Sequence, residues 1–361
     1  SSDLIVKEKE TSVIKGYGIK TGTYSVEEEF DLPYAIKEVL AHKAEPRITT
    51  VQCGVGCIIA DGEIVLSALL LQNTENSDII RENKIIPFRM ELDCDEAMPA
   101  MGCTAFVFPK SFKTDISVDE EAGKSTVSAV VNLQFESEAF VSEEITVAED
   151  VFSLKDDLAI SREEFTYNIP EASIGCNAEI NERVSIKDLP ADARITAVGG
   201  ETVEITSVKS TDLGLKIEGV IKADLYYKDG EGKNSAIAVE TPFETDAACV
   251  LKEDCDIKLK SITGNVIIKQ ISSEEAELSA DLLLTVYSYG ANGFKYIKEV
   301  SVTGEKKTED SAISVYIPRE GEELWSLAKR LNATPESIMS ANKDLQFPLT
   351  GKERIAVYRQ K

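Results

Sequence analysis

The chain has 361 residues, of which 43% are hydrophobic, and its net charge is −25. That apolar content is close to the globular average, so the composition argues against intrinsic disorder and predicts roughly two to three packed domains. A chain this acidic repels nucleic acid and anionic lipid, which argues against both as partners. No stretch reaches the about 18 apolar residues that a spanning helix needs, so direct membrane insertion is not expected.

The charge is distributed unevenly along the chain. Residues 313–361 contain eight Lys/Arg and six Asp/Glu, a net of +2, so the preceding 312 residues carry −27. Residues 1–10 lack the apolar run of a signal peptide. We therefore expect an acidic body, a basic C-terminal part and a cytoplasmic location.

Short motifs recur along the chain and indicate an internal duplication. Four pairs keep the same order at offsets of 147 to 155 residues: 36–40 with 186–190, 47–51 with 194–198, Pro87-Phe88 with Pro242-Phe243, and 120–122 with 274–276. Matches in this order are typical of tandem repeats with small loop insertions. The sequence therefore predicts two related domains, each of ordinary size.

Each copy has the pattern of a β-rich domain. In residues 216–227 the apolar side chains alternate with polar ones, which is the two-residue period of a strand, and Asp229-Gly230 signals a hairpin turn. Residues 279–289, 63–71 and 126–135 have similar strand character. The pattern predicts a sandwich or barrel in each repeat. One helix in each copy, near Val39 and near Asp188, is a further expectation.

The seven cysteines do not indicate a disulfide framework, because their number is odd and the chain is long enough to build its own cores. We expect reduced, buried thiols. Cys53 and Cys57 are four residues apart and are expected on one face of a single strand. With no Cys-x-x-Cys pair and a single histidine, His42, the sequence predicts no metal site and no cofactor.

The proposed boundaries follow from these patterns. They are a first repeat at 1–150, a second repeat at 151–303, a polar linker at 304–312 and a C-terminal domain at 313–361. Residues 144–162 are expected to connect the two repeats. The predicted fold class is mainly β, with two tandem β-rich repeats, sandwich or barrel-like, and a small C-terminal βααβ domain.

The C-terminal domain shows a change of periodicity. Ile313, Val315 and Ile317 alternate as in a strand, and apolar residues from Leu324 to Leu331 then recur at helical spacing. Thr334-Pro335 is a helix-start signal, and residues 354–358 have the pattern of a closing strand.

These residues resemble a known family. Residues 317–330 (IPREGEELWSLAKR) are similar to the opening of a LysM domain, and residues 332–338 with Ala341-Asn342 are similar to its second half. Residues 219–227 and Pro242-Phe243 resemble the SPOCS domain. Together, the two resemblances identify the chain as similar to the SipL family of spore coat morphogenesis proteins in sporulating clostridia.

The resemblance implies a role and a partner. SipL-family proteins act in the mother cell, at the forespore surface, where they tether the basement layer of the spore coat by binding a coat morphogenetic ATPase. In a LysM fold, two loops flank one groove. The partner- or glycan-binding residues expected on that groove and on the first helix are Arg319, Gly321, Glu322, Trp325, Lys329, Arg330, Gln346 and Phe347.

Three classes of function remain open from the sequence. The first is a non-catalytic adaptor that binds a protein partner through the LysM domain. The second is a peptidoglycan- or chitin-like glycan-binding protein of the cell envelope. The third is an enzyme, although no Gly-x-Ser-x-Gly, His-Glu-x-x-His or calcium-loop motif occurs. Trp325, the single tryptophan, is expected either to pack half-buried or to face a partner.

Overall fold

The computed structural model describes residues 3–251, 255–307 and 313–358. These residues form a mainly β protein with several antiparallel sheets and two short helices. They divide into two compact units. Unit 1 comprises residues 1–14, 142–167 and 292–361, and unit 2 comprises residues 15–141 and 168–291.

The strands of the first half are long. They are β1 (Leu4–Gly16), β2 (Lys20–Leu32), β3 (Ile36–Cys53), β4 (Cys57–Gln72), β5 (Ile79–Asp93), β6 (Gly102–Asp119) and β7 (Lys124–Ser153). The second half contains β8 (Asp156–Ser185), β9 (Arg194–Thr211), β10 (Gly214–Lys228), β11 (Asn234–Ala247), β12 (Cys255–Gln270) and β13 (Glu275–Glu305). The C-terminal part consists of β14 (Ile313–Tyr316), α1 (Leu324–Leu331), α2 (Pro335–Ala341) and β15 (Ile355–Tyr358).

In unit 2, two sets of six strands have the same connectivity. In the first set, β3-β4-β5 form an antiparallel meander, and β7 pairs with β2 and β6 in a second sheet. In the second set, β9-β10-β11 form the meander, and β13 pairs with β8 and β12. Each set encloses its own apolar core, the first around Ile64, Leu133 and Phe135, the second around Ile217, Leu225 and Leu278.

Each meander also contains a glycine on its second strand that lies opposite a phenylalanine on its third strand. Gly62 of β4 lies opposite Phe88 of β5, and Gly219 of β10 lies opposite Phe243 of β11. A Cβ atom on Gly62 would come within 2.3 Å of the Phe88 ring, and one on Gly219 within 2.7 Å of the Phe243 ring. Each phenylalanine therefore covers a backbone that only glycine leaves open.

The two strand sets of unit 2 contact each other through buried polar groups. Glu201 of β9 has a fully buried side chain that accepts hydrogen bonds from Arg81 of β5 at 2.6 and 3.0 Å. Lys43 of β3 lies 2.7 Å from the same carboxylate, and Thr263 of β12 donates to it at 3.0 Å. Burial alone would raise the pKa of Glu201, but Arg81 and Lys43 outweigh burial and lower this pKa to about 2.

In unit 1, β1 pairs with β7, and β8 pairs with β13. Most side chains of their segments in this unit are exposed or partly buried, except for Val151, Phe152 and Ser153 at the end of β7, which are buried. The remainder of unit 1 is the C-terminal part from β14 to β15.

The structure confirms the strands predicted at 63–71, 126–135, 216–227 and 279–289, which lie in β4, β7, β10 and β13. The helices expected near Val39 and Asp188 are wrong. Val39 pairs with Leu70 in the β3·β4 ladder, and Asp188 lies in a turn closed by the Leu189 N–H and the Ile186 carbonyl, 2.9 Å apart.

One further expectation is corrected. Cys53 ends β3 and Cys57 begins β4, so the two thiols lie on neighbouring strands and not on one strand. Residues 144–162, expected to connect the two repeats, belong to β7, β8 and the turn between these strands. The expected linker at 304–312 begins with the last residues of β13, and its residues 308–312 lie outside the described residues.

Replacing Glu201 tests how strongly its carboxylate joins the two strand sets. Glu201→Gln keeps the shape but leaves Arg81 and Lys43 without their shared counter-charge. We expect a loss of about 3 kcal/mol in the free energy of unfolding of unit 2 at pH 7, measured by urea denaturation. Glu204→Gln, on the same strand but exposed, is the control and should change little.

The pH dependence of that loss has a defined sign. The folded pKa of about 2 lies below the ordinary 4.5, so the stabilisation is complete above pH 4.5 and is lost as the pH falls toward 2. The difference in the free energy of unfolding between wild type and Glu201→Gln should therefore shrink over that pH range. A gap that stays constant down to pH 2 would contradict this account.

Candidate partner-binding surface of the C-terminal segment

The C-terminal segment, residues 313–358, contains a two-stranded sheet and two helices whose ends are set by local chemistry. The Thr334 side chain accepts a hydrogen bond from the Ser337 N–H at 3.0 Å, and Pro335 follows at the first helical position of α2. Asn332, with φ of 53°, ends α1 in the left-handed conformation. Antiparallel β14 and β15 bring the two ends of the segment together.

A buried carboxylate holds the loop before α1. Glu322 accepts two hydrogen bonds from Arg330 at 2.8 Å and one from the Arg319 N–H at 2.9 Å. The hydrogen bonds from Arg330 lower the pKa of Glu322 although burial opposes them. The same loop is joined to the loop after α2, since Gly321 N–H donates to Leu349 O at 2.7 Å and Leu349 N–H donates to Glu322 O at 3.0 Å.

The sheet of this segment has one covered and one open face. Ile355 and Val357 of β15 are buried in the core with Leu327 and Ile338 of the helices. The opposite side, which we call the outer face, consists of Ile313, Val315, Ile317, Arg354, Ala356 and Tyr358, as the strand alternation and the register require. Its four large apolar side chains are each 59–71% exposed.

Asp150 of β7 binds the other side of the segment, at α1. Its carboxylate accepts a hydrogen bond from Trp325 Nε1 at 2.8 Å and lies 2.8 Å from Lys329 Nζ and 2.6 Å from Arg162. Burial by itself would raise the pKa of Asp150, but the hydrogen bonds from Lys329 and Trp325 lower it overall.

The end of β7 and the turn after it complete the core of the C-terminal segment. Phe152 is 2% exposed, belongs to the same apolar cluster as Leu327 and Leu331, and meets the Trp325 ring edge-on at 5.1 Å between centroids. Asn332 donates to the Leu154 carbonyl at 2.6 Å. The segment therefore shares its core with the end of β7 and the turn that leads to β8.

The predicted site residues fall into two groups. Arg319, Gly321 and Gln346 are exposed, and Phe347 is packed against the core with part of its surface open. The other four are engaged inside the chain: Glu322 with Arg330, and Trp325 and Lys329 with Asp150. The structure thus brings the first group together around the joined loops, while Trp325 and Lys329 contact Asp150 near the end of β7.

The sequence analysis did not identify the outer face or Asp150. The alternation of Ile313, Val315 and Ile317 was present in the sequence, but it does not tell which side of a strand the core occupies. Tyr316, between them, packs on the core instead. Nothing near Asp150 in the sequence signals a contact with Trp325, which lies 175 residues away.

Five of the seven thiols are buried and two are partly buried. Within the described ranges, no three His, Cys, Asp or Glu side chains are grouped so as to hold a metal ion, and neither helix there is long and apolar enough to cross a bilayer. No protein-family model, no curated protein and no solved structure matches the chain.

Asp150→Ala should loosen the contact of α1 with the end of β7. It removes the acceptor of Trp325 Nε1 and the counter-charge of Lys329, which we expect to cost about 2 kcal/mol of stability. Because Trp325 is the single tryptophan, its fluorescence should shift to longer wavelength as the indole gains water. Asp157→Ala, an exposed carboxylate in β8, is the control. An unchanged emission maximum in Asp150→Ala would show that this contact does not hold the indole.

Proposed function

We propose that this protein is a non-catalytic adaptor of the SipL type, with two SPOCS-like repeats and a LysM-like C-terminal segment. Its role is to anchor the basement layer of the spore coat to the forespore surface, from the mother-cell cytoplasm. Its partner is a coat morphogenetic ATPase, bound through the C-terminal segment. The role and the partner rest on the sequence resemblance.

The organisation of unit 2 supports the duplication. Both six-strand sets join a three-strand meander to a sheet whose central strand is the last of the set. The Gly62–Phe88 and Gly219–Phe243 pairs occupy equivalent positions in the two meanders, and the phenylalanines belong to the two Pro-Phe matches of the sequence. A duplicated domain accounts for both facts at once.

The C-terminal segment supports the LysM-like assignment. Its order is strand, helix, helix, strand, and two loops meet beside the first helix. It is also the part of the chain with a positive net charge. The difference in charge between this small segment and the acidic remainder of the chain supports a separate binding role for the segment.

The observation that carries protein binding is the outer face. Exposed apolar side chains gathered on one face of a sheet mark interaction sites, since isolated ones need no explanation but a contiguous set does. Val315 and Ile317 lie along β14, Tyr358 lies opposite Ile313, and Arg354 extends the same face. A partner surface with apolar side chains and a nearby carboxylate matches this composition.

The glycan-binding alternative has less support from the loops. A glycan in the groove would need free backbone donors and acceptors between the two loops. The N–H groups of Gly321 and Leu349 are already used in hydrogen bonds that join these loops. Glycan binding is therefore an outcome to be tested and not the proposal.

Val315→Asp tests the outer face in the full chain. A charge in the centre of an apolar interface is left without a partner, so we expect at least a tenfold weaker binding to the purified coat morphogenetic ATPase, or about 1.4 kcal/mol. Val302→Asp in β13 is matched, because Val302 and Val315 are 65% and 64% exposed. The measurement is biolayer interferometry, with circular dichroism to check folding.

Two results would count against the proposal. Equal binding by Val315→Asp and wild type would remove the outer face from the interface. Binding of the wild type to purified sacculi but not to the ATPase would favour the glycan-binding function instead.

A further inference from the structure

One end of unit 2 presents several large apolar side chains that are exposed to solvent. Among its described residues, the four most exposed large hydrophobic side chains are 67–92% exposed, and all lie in loops: Ile19, Val55, Leu213 and Val250. We call the surface formed by these four residues and Met98 the apolar end. The surface has no part in the proposed function described above.

In the first strand set, three loops of the apolar end are in contact. Val55 lies in the β3–β4 turn, where the Gly56 N–H donates to the Ala97 carbonyl at 2.9 Å. Lys20, next to Ile19, lies 3.5 Å from Glu96. Ile19, Val55 and Met98 therefore project from neighbouring loops.

The second strand set repeats this arrangement. Leu213 lies in the β9–β10 turn, and Val250 follows β11. A Cβ atom on Gly214 would lie 2.2 Å from the Ala247 carbonyl oxygen and 2.8 Å from the Cys249 nitrogen, so the two loops touch. Equivalent loops of the two sets thus carry exposed apolar side chains.

The two sets point their loops in the same direction. Near the apolar end, Phe106 of β6 stacks on Tyr287 of β13 with ring centroids 4.7 Å apart. At the opposite end, Asp78 binds Arg194 and Lys228, each at 2.8 Å. Because like ends meet, the loops of both sets lie at the same end of unit 2.

Carboxylates surround the apolar end. Five exposed ones lie in or beside its loops: Asp93, Asp95, Glu96, Asp212 and Asp246. Two of the described cations there are paired, Lys20 with Glu96 at 3.5 Å and Lys216 with Glu244 at 2.7 Å. An apolar centre with an acidic rim repels anionic lipid and complements a surface that is apolar and basic.

The outer face of the C-terminal segment is such a surface. It presents Val315, Ile317 and Tyr358 beside Arg354, with Arg319 and Lys352 also exposed in the segment. We propose that the apolar end of one copy of this chain binds the outer face of a second copy. The contact joins two different surfaces, so each added copy offers a further apolar end, and the product is an open chain or a ring.

Self-association and binding of the ATPase then use the same outer face, so one copy cannot do both through that face at once. The self-association proposal rests on the proposed function only because both assign binding to the outer face. The apolar end is used by self-association alone, which allows the two to be tested separately.

Sedimentation velocity of the purified full chain tests the proposal. We expect the weight-average sedimentation coefficient to rise with protein concentration and to rise less at high salt, since screening weakens the charged rim. Leu213→Asp/Val250→Asp and, separately, Val315→Asp should each remove this rise. Ile271→Asp, an exposed apolar position at the opposite end of unit 2, is the control and should retain it.

Mixing the two defective variants gives the sharpest result. The double variant keeps an intact outer face, and Val315→Asp keeps an intact apolar end. In an equimolar mixture, the apolar end of Val315→Asp can therefore bind the outer face of the double variant, and no other pairing is possible. We expect a complex that stops at one copy of each. The double variant should also bind the ATPase as the wild type does, which separates this proposal from the proposed function.

Three outcomes would overturn the proposal. They are a wild type that stays monomeric at every concentration, association that survives Leu213→Asp/Val250→Asp, and a mixture in which no complex forms. Co-sedimentation of the monomer with phosphatidylcholine vesicles, lost in the double variant, would assign the apolar end to a membrane instead.

Discussion

The carboxylate of Glu201 is the contact on which the arrangement of unit 2 depends. It lies out of water between Arg81 and Lys43 of the other strand set, and Thr263 supplies a further hydrogen bond. A buried charge is tolerated only when its partners are correctly placed, so any other packing of the two sets would leave the buried charges of Glu201 and Arg81 without each other. An apolar interface would accept several arrangements, whereas this one specifies a single register.

Other polar contacts follow the same logic. Arg47 donates to the Cys176 carbonyl at 3.1 Å and to Asn177 at 2.8 Å, and Lys260 donates to the Pro46 and Val107 carbonyls, each at 3.0 Å. Burial lowers the pKa of Lys260. Backbone carbonyls at the sheet margins are thus satisfied by long cationic side chains from the other strand set. This fixed packing is what brings the loops of both sets to one end.

Much of the β structure could be predicted from the sequence, because alternation and turn residues are local signals. The segment around Val39 shows the limit. Residues 35–41 have the apolar spacing of a helix, but pairing of Val39 with Leu70 in a long ladder outweighs that local preference. The segment around Asp188 precedes Pro190, and its backbone is used in successive turns, including the bond from the Ala193 N–H to the Pro190 carbonyl at 2.9 Å.

The candidate site was predictable in location but not in orientation. Composition and motif indicated residues 313–361, and the helix signals at Thr334 and Pro335 were read correctly. The side of the sheet that the helices cover depends on the whole segment, and here Tyr316 packs inward while Ile317 points outward. The partner of Trp325 comes from a strand far away in the chain, where no local pattern could show it.

The position of Phe152 at the end of β7 has a consequence for how the chain is made. The ribosome produces residues 150–155 well before α1, since Asp150 and Trp325 are 175 residues apart. Until α1 has been made, Phe152 has no apolar surroundings from Leu327 and Leu331, and the end of β7 carries an exposed aromatic ring. Unit 1 can therefore close only after α1 has left the ribosome. A chain released early, for example at residue 303, would keep that ring in water, where it invites aggregation.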